Sequence, residues 1–210
     1  MMTARTPASL ELLDRLEEVA TDLLGGPVLP TRAKGVRYSG DTPWHADSEA
    51  DLASLGCAAY LEPLVAESGA LRVLPGSHRG ELGGAVRAAG AVGLPADALP
   101  AHVIATAPGD VIVFDEHLFH SSASGGTRRQ WRVDYVREPQ PDAISEARAR
   151  AHFARIYAPD WDGGYDVDRH PSYGPDWLAS GRRAVAPLRK LGVYELAEAQ
   201  ESFSRSRQSR

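Results

Sequence analysis

The chain is poor in cysteine, with Cys57 alone among 210 residues. A single thiol excludes an intramolecular disulfide and any metal site built on paired thiolates, and it suits a reducing compartment, so the expected location is cytoplasmic. Long apolar runs are missing as well. No stretch reaches the roughly 18 residues needed to cross a bilayer, and the N-terminus lacks the apolar core of a secretory signal. Positive charge is in deficit: 23 Lys and Arg stand against 28 Asp and Glu. Without a basic patch, nucleic acid is not an expected partner. The basic run Ser202 to Arg210 reads as a frayed tail. There is no internal repeat and no His-Glu-x-x-His helix of a zinc hydrolase. What remains is one ordinary globular domain, long enough for a full core.

Among the seven histidines, two stand in a ligand-like setting. His45-Ala46-Asp47 places an imidazole and a carboxylate two residues apart, and His120 follows 73 residues after Asp47 (120 − 47). On an extended strand, residues i and i+2 share a face, so His45 and Asp47 can converge on one ion. Two imidazoles and one carboxylate occupy one face of an octahedral metal and leave three positions open, as in non-haem Fe(II) oxygenases. The bland alternative is a surface turn pair. His117 competes with His120 for the third position; His78, His102, His152 and His170 read as structural or surface residues.

The surrounding runs are strand-like. Leu71 to Leu74 is short and mostly apolar and ends at Pro75-Gly76. Ala107-Pro108-Gly109-Asp110 turns into Val111 to Asp115, which leads towards His117 and His120. From Arg128 to Val136, polar and apolar residues alternate, as on a strand covered on one face.

Four runs in order carry a resemblance: Trp44-His45-Ala46-Asp47, Gly69 to His78, Gly109 to Phe114, and His120-Ser121-Ser122 with Arg128-Arg129 downstream. Across roughly residues 36 to 136 the chain resembles the phytanoyl-CoA dioxygenase family of Fe(II)- and 2-oxoglutarate-dependent oxygenases. The resemblance implies a mainly β, double-stranded β-helix (jelly-roll, cupin-like) core with flanking α-helices. It implies iron held by His45, Asp47 and His120 between two sheets, with His120 favoured over His117 because Ser121-Ser122 follow it. The cosubstrates would be 2-oxoglutarate and O2, and a small molecule would be oxidised, with hydroxylation in secondary metabolism as the expected role. Only 44 residues precede His45, fewer than usual in the family. The alternative is therefore an inactive or accessory metal-binding jelly roll, or a homo- or hetero-oligomer whose second subunit completes the site.

A planar guanidinium that grips the far carboxylate of 2-oxoglutarate is the remaining requirement. Arg128 and Arg129 point to opposite faces of one strand. Alternation groups Arg128 with Gln130, Arg132 and Asp134, and Arg129 with Trp131, Val133 and Tyr135. With helices covering the outer face, the polar set can point inward. Alignment to the family also selects Arg128, and Arg129 stays as the alternative. Tyr38, Trp44, Tyr60 and His117 are candidates for the substrate pocket.

One domain is expected over 1–210. A covering helix spans 7–24, started at Thr6-Pro7 and stopped at Gly25-Gly26, with Leu12, Leu13, Leu16, Val19, Ala20, Leu23 and Leu24 as its stripe. The core spans about 27–138. Helices and a lid fill about 141–201: a helix over 141–155, a loop whose residues Asp160 to Tyr173 could cover the barrel mouth, a short helix near Trp177 and another from Val193 to Ser202.

Overall fold

A computed structural model describes residues 2–89, 93–158 and 166–208. Its strands are β1 (Val28–Ser39), β2 (Thr42–His45), β3 (Ser54–Tyr60), β4 (Leu71–Val73), β5 (His102–Ile104), β6 (Ile112–Asp115), β7 (His120–Ser122) and β8 (Thr127–Arg137). The helices are α1 (Pro7–Leu24), α2 (Gly80–Ala88), α3 (Ala143–Ile156), α4 (Pro175–Leu178), α5 (Val185–Lys190) and α6 (Val193–Gln208). Two four-stranded sheets have the orders β1-β8-β3-β6 and β2-β7-β4-β5. This interleaved order is that of the expected double-stranded β-helix. No helix among the described residues is long and apolar enough to cross a membrane.

The chain forms two compact units whose segments interleave: Met1–Lys34, Ala50–Ala53 and Val133–Arg210 in one, Gly35–Glu49 and Ser54–Arg132 in the other. In the first unit α1 has the expected ends. Pro7 opens it, and Gly25 closes it in the left-handed region at φ 67°. The sequence offered Thr6 as the cap, but its side chain does not cap the helix; the hydroxyl donates instead to the Thr3 carbonyl. Leu10, Leu13 and Ala20 are buried, whereas Val19 and Leu23 of the expected stripe are exposed. The Tyr135 hydroxyl donates to the Leu13 carbonyl at 2.6 Å, which ties α1 to the apolar face of β8.

The expected second helix is α3, whose first turn is capped by Asp142 accepting from the Ile144 and Ser145 amides. The supposed C-terminal tail is a correction. It is helical through Gln208, because Arg205 bonds Asp168 at 2.7 Å and Glu201 lies one turn back at 3.4 Å. Residues 160–165 of the expected lid lie outside the described residues. From Val167 the chain is built into the first unit: Val167 is buried, Tyr173 packs on Tyr157, Trp177 and Tyr194, and the Ser172 amide donates to Glu201.

In the second unit the core lies between the sheets. Ala58, Tyr60, Leu71, Val73, Ile112 and Phe114 form one buried cluster. Trp44 and Phe119, both fully buried, form another. The register of β2 against β7 shifts between Thr42 and His45. Pro43 is tolerated there because β2 is an edge strand and the pairing is irregular. The irregularity turns both Thr42 and His45 inward and sends Trp44 the other way.

Candidate metal centre and anion pocket

A cavity of about 420 Å³, its open mouth included, lies between the sheets of the second unit. Its lining includes Tyr38 of β1, Thr42 and His45 of β2, Tyr60 of β3, Phe114 of β6, His120 of β7, and Arg128, Gln130 and Arg132 of β8. The three β8 residues are spaced by two, as strand alternation requires.

His45, Asp47 and His120 converge: one ligand atom from each lies within 4.8 Å of the others. His45 Nε2 is 3.6 Å from Asp47 Oδ1, and His120 Nε2 is 3.3 Å from Asp47 Oδ2. The two histidines are oriented alike. His45 Nδ1 donates to the Pro43 carbonyl and His120 Nδ1 to the Leu118 carbonyl, each at 2.8 Å. A carbonyl can only accept, so the proton sits on Nδ1 and the Nε2 lone pair faces the shared space.

Charge supports ligation at His120 and Asp47. Burial pushes His120 down to about 4, so it is neutral with its lone pair available. Burial also acts to lower His45, but the Asp47 carboxylate and the Pro43 carbonyl outweigh it and leave it raised. Burial would raise the Asp47 carboxyl, yet the Arg132 guanidinium, with the two histidines, holds it well below the usual carboxylate range. One ionised carboxylate and two aimed imidazoles suit a divalent cation.

The His-x-Asp pair does not lie on one strand, as the sequence spacing suggested. β2 ends at His45. Asp47 is placed by a loop whose Asp47 and Ser48 amides both donate to the Glu116 carbonyl, at 2.9 and 3.0 Å.

The arginine pair separates cleanly. Arg128 is 2% exposed and lines the cavity. It donates to the Gly40 carbonyl at 2.8 Å and the Thr42 hydroxyl at 3.1 Å, and its Cζ lies 5.1 Å from the centre of the Tyr38 ring. Both oxygens are neutral, and the buried Nε has no partner. Arg129 turns outward and bonds Glu62 at 2.5 Å. Glycine makes room over the guanidinium. A Cβ on Gly125 would collide with Arg128 Nη1, and one on Gly69, at φ 91°, would lie 2.8 Å from the Gly125 Cα. Only glycine permits so close an approach of two backbones.

Two pocket candidates lie away from this cavity. Trp44 does not line the cavity, because the β2 irregularity buries it against Phe119. His117 does not line it either: its amide and Nδ1 both donate to Asp115 Oδ1 in the turn before β7. Tyr38 and Tyr60 do line it. Sequence reasoning did not single out Arg132 or Glu116. Arg132 bonds Asp47 at 2.8 Å and lies 3.6 Å from Glu116. Its signal was present in the β8 alternation that groups it with Arg128; Glu116 had none.

A phytanoyl-CoA dioxygenase (PhyH) family profile matches residues 11–132. No curated protein matches the sequence significantly. Among solved structures, EctD from S. alaskensis with 2-oxoglutarate and 5-hydroxyectoine aligns with a TM-score of 0.50 at 24% identity, over 64% of this chain and 54% of that one. AviO1 from Streptomyces viridochromogenes Tue57 gives 0.49 at 26%, over 61% and 59%. EvdO2 from Micromonospora carbonacea var. aurantiaca complexed with 2-oxoglutarate gives 0.48 at 24%, over 69% of each chain. The chain thus spans about three fifths of AviO1 and about half of EctD.

Proposed function

Because this chain belongs to the phytanoyl-CoA dioxygenase family, we propose that it is an Fe(II)- and 2-oxoglutarate-dependent oxygenase that hydroxylates a small molecule. One observation carries the reading: the two histidines of a His-Asp-His donor set line the same cavity as a buried arginine without a carboxylate partner. An accessory barrel that only bound metal would have no use for the second feature.

His45, Asp47 and His120 would hold the iron on one face. Arg128 would receive the far carboxylate of 2-oxoglutarate, and its orphaned Nε fits a ligand that brings an acceptor. Iron held there would supply the redox chemistry that couples reduction of dioxygen to oxidation of 2-oxoglutarate to succinate and carbon dioxide. The protein's own part is orientation and exclusion of water. Tyr60, whose phenol is raised by burial, stays protonated and can donate to a ligand oxygen. Leu71 and Phe114 keep the inner wall apolar.

The reading is tested anaerobically, by adding Fe(II) and then 2-oxoglutarate and recording the visible charge-transfer band of an Fe(II)–2-oxo-acid chelate. The band is expected, and admission of air should then release succinate in proportion to the iron bound. Absence of both signals from folded protein would defeat the reading.

Gly125→Ala should weaken 2-oxoglutarate roughly tenfold, the equivalent of one lost hydrogen bond, since the added methyl displaces Arg128. Iron affinity should not change, because no metal donor touches Gly125. Equal losses in both, measured by titration, would mean that the substitution disturbs the barrel as a whole.

A further inference from the structure

We propose that Arg132 is a positioning residue that restricts Asp47 to one metal-binding oxygen and thereby reserves the remaining coordination positions for the reactants. The inference rests on the metal-triad reading above.

Asp47 lies beyond the end of β2, so the sheet does not hold its side chain. Its amide, with that of Ser48, is anchored to the Glu116 carbonyl, which sets the backbone but leaves the carboxylate free to rotate. Arg132 removes that freedom. Its Nη2 donates to Asp47 Oδ2 at 2.8 Å. The guanidinium is itself enclosed: its side chain is 8% exposed, Glu116 Oε1 lies 3.6 Å away, and its Cζ sits 5.4 Å from the centre of the Phe114 ring. Phe114 also packs edge-on against His120 at 5.1 Å, so one ring braces both a metal donor and the residue that steers another.

A carboxylate oxygen committed to a charge-assisted hydrogen bond is a poor second ligand. Oδ2 also lies 3.3 Å from His120 Nε2, so both oxygens are within reach of the donor set, and it is the bond to Arg132 that leaves Oδ1, 3.6 Å from His45 Nε2, as the oxygen to ligate. Without Arg132 the carboxylate can swing to two-oxygen ligation and fill a position that a reactant needs. Glu116 supplies the counter-charge. Removing Arg132 and Glu116 together therefore keeps the net charge of the site while abolishing the steering bond.

The test uses Mn(II)-loaded full-length protein without cosubstrate and counts metal-bound water by proton relaxation. Three protein donors on an octahedral ion leave about three waters. The charge-neutral double variant Arg132→Met with Glu116→Gln should show about two. Arg132→Lys, which keeps a cationic donor, should return to about three. Three waters in the double variant, or loss of Mn(II) from double variant that remains folded, would overturn the proposal. Should the double variant not fold, infrared difference spectra of the unmodified protein with and without Mn(II) decide it. Wide splitting of the carboxylate stretches marks one-oxygen ligation, and narrow splitting overturns the inference. If the unmodified protein takes up no Mn(II), or His45→Ala takes it up equally well, it is the triad reading that fails.

Discussion

His120→Ala is expected to abolish specific iron binding, while His117→Ala leaves it nearly unchanged. The two residues are three apart in sequence, but only His120 stands on β7 and faces the cavity, with Nδ1 held by the Leu118 carbonyl and Nε2 turned to Asp47. His117 spends its Nδ1 on Asp115. Loss of a metal donor leaves an incomplete facial set, so affinity should fall by more than the roughly 10- to 100-fold that outer-sphere changes cost. Iron titration of folded variants, checked by thermal melting, measures it. Retention of iron by His120→Ala with loss in His117→Ala would move the third ligand to the turn.

Arg128→Ala is expected to raise the apparent KM for 2-oxoglutarate on the order of a hundredfold while barely changing iron affinity. The magnitude follows from a charge-assisted pair in a largely dry site, which contributes a few kcal/mol. The cavity provides that setting, since Arg128 is buried and its Nε awaits an acceptor. Arg129→Ala should cost little, because its ion pair with Glu62 is at the surface, where such pairs contribute about 0–1 kcal/mol. Initial-rate measurements over a range of 2-oxoglutarate separate the two. A large effect at Arg129 with none at Arg128 would refute the assignment.

The sequence alone determined the candidate donor types, their order and the company they keep. His45, Asp47 and His120 were legible as a candidate set because metal ligation restricts residue type, and the ends of α1 were legible because proline and glycine restrict backbone geometry. Alternation along β8 also grouped Arg128 with Gln130 and Arg132, since a strand has a period of two. A period says which residues share a face but not which face is inside. The tertiary structure decided that. The Tyr135 hydroxyl bonded to α1 marks the apolar face of β8 as the one under the helix, and the polar set turns to the cavity. The place of Trp44 was open for the same reason: one irregularity in β2 pairing inverts the local alternation, and nothing in Thr42-Pro43-Trp44-His45 specifies where it falls. Asp47 and Arg132 meet across 85 residues. Their partnership exists only because two sheets bring a loop and a strand together, a long-range juxtaposition that no local pattern encodes.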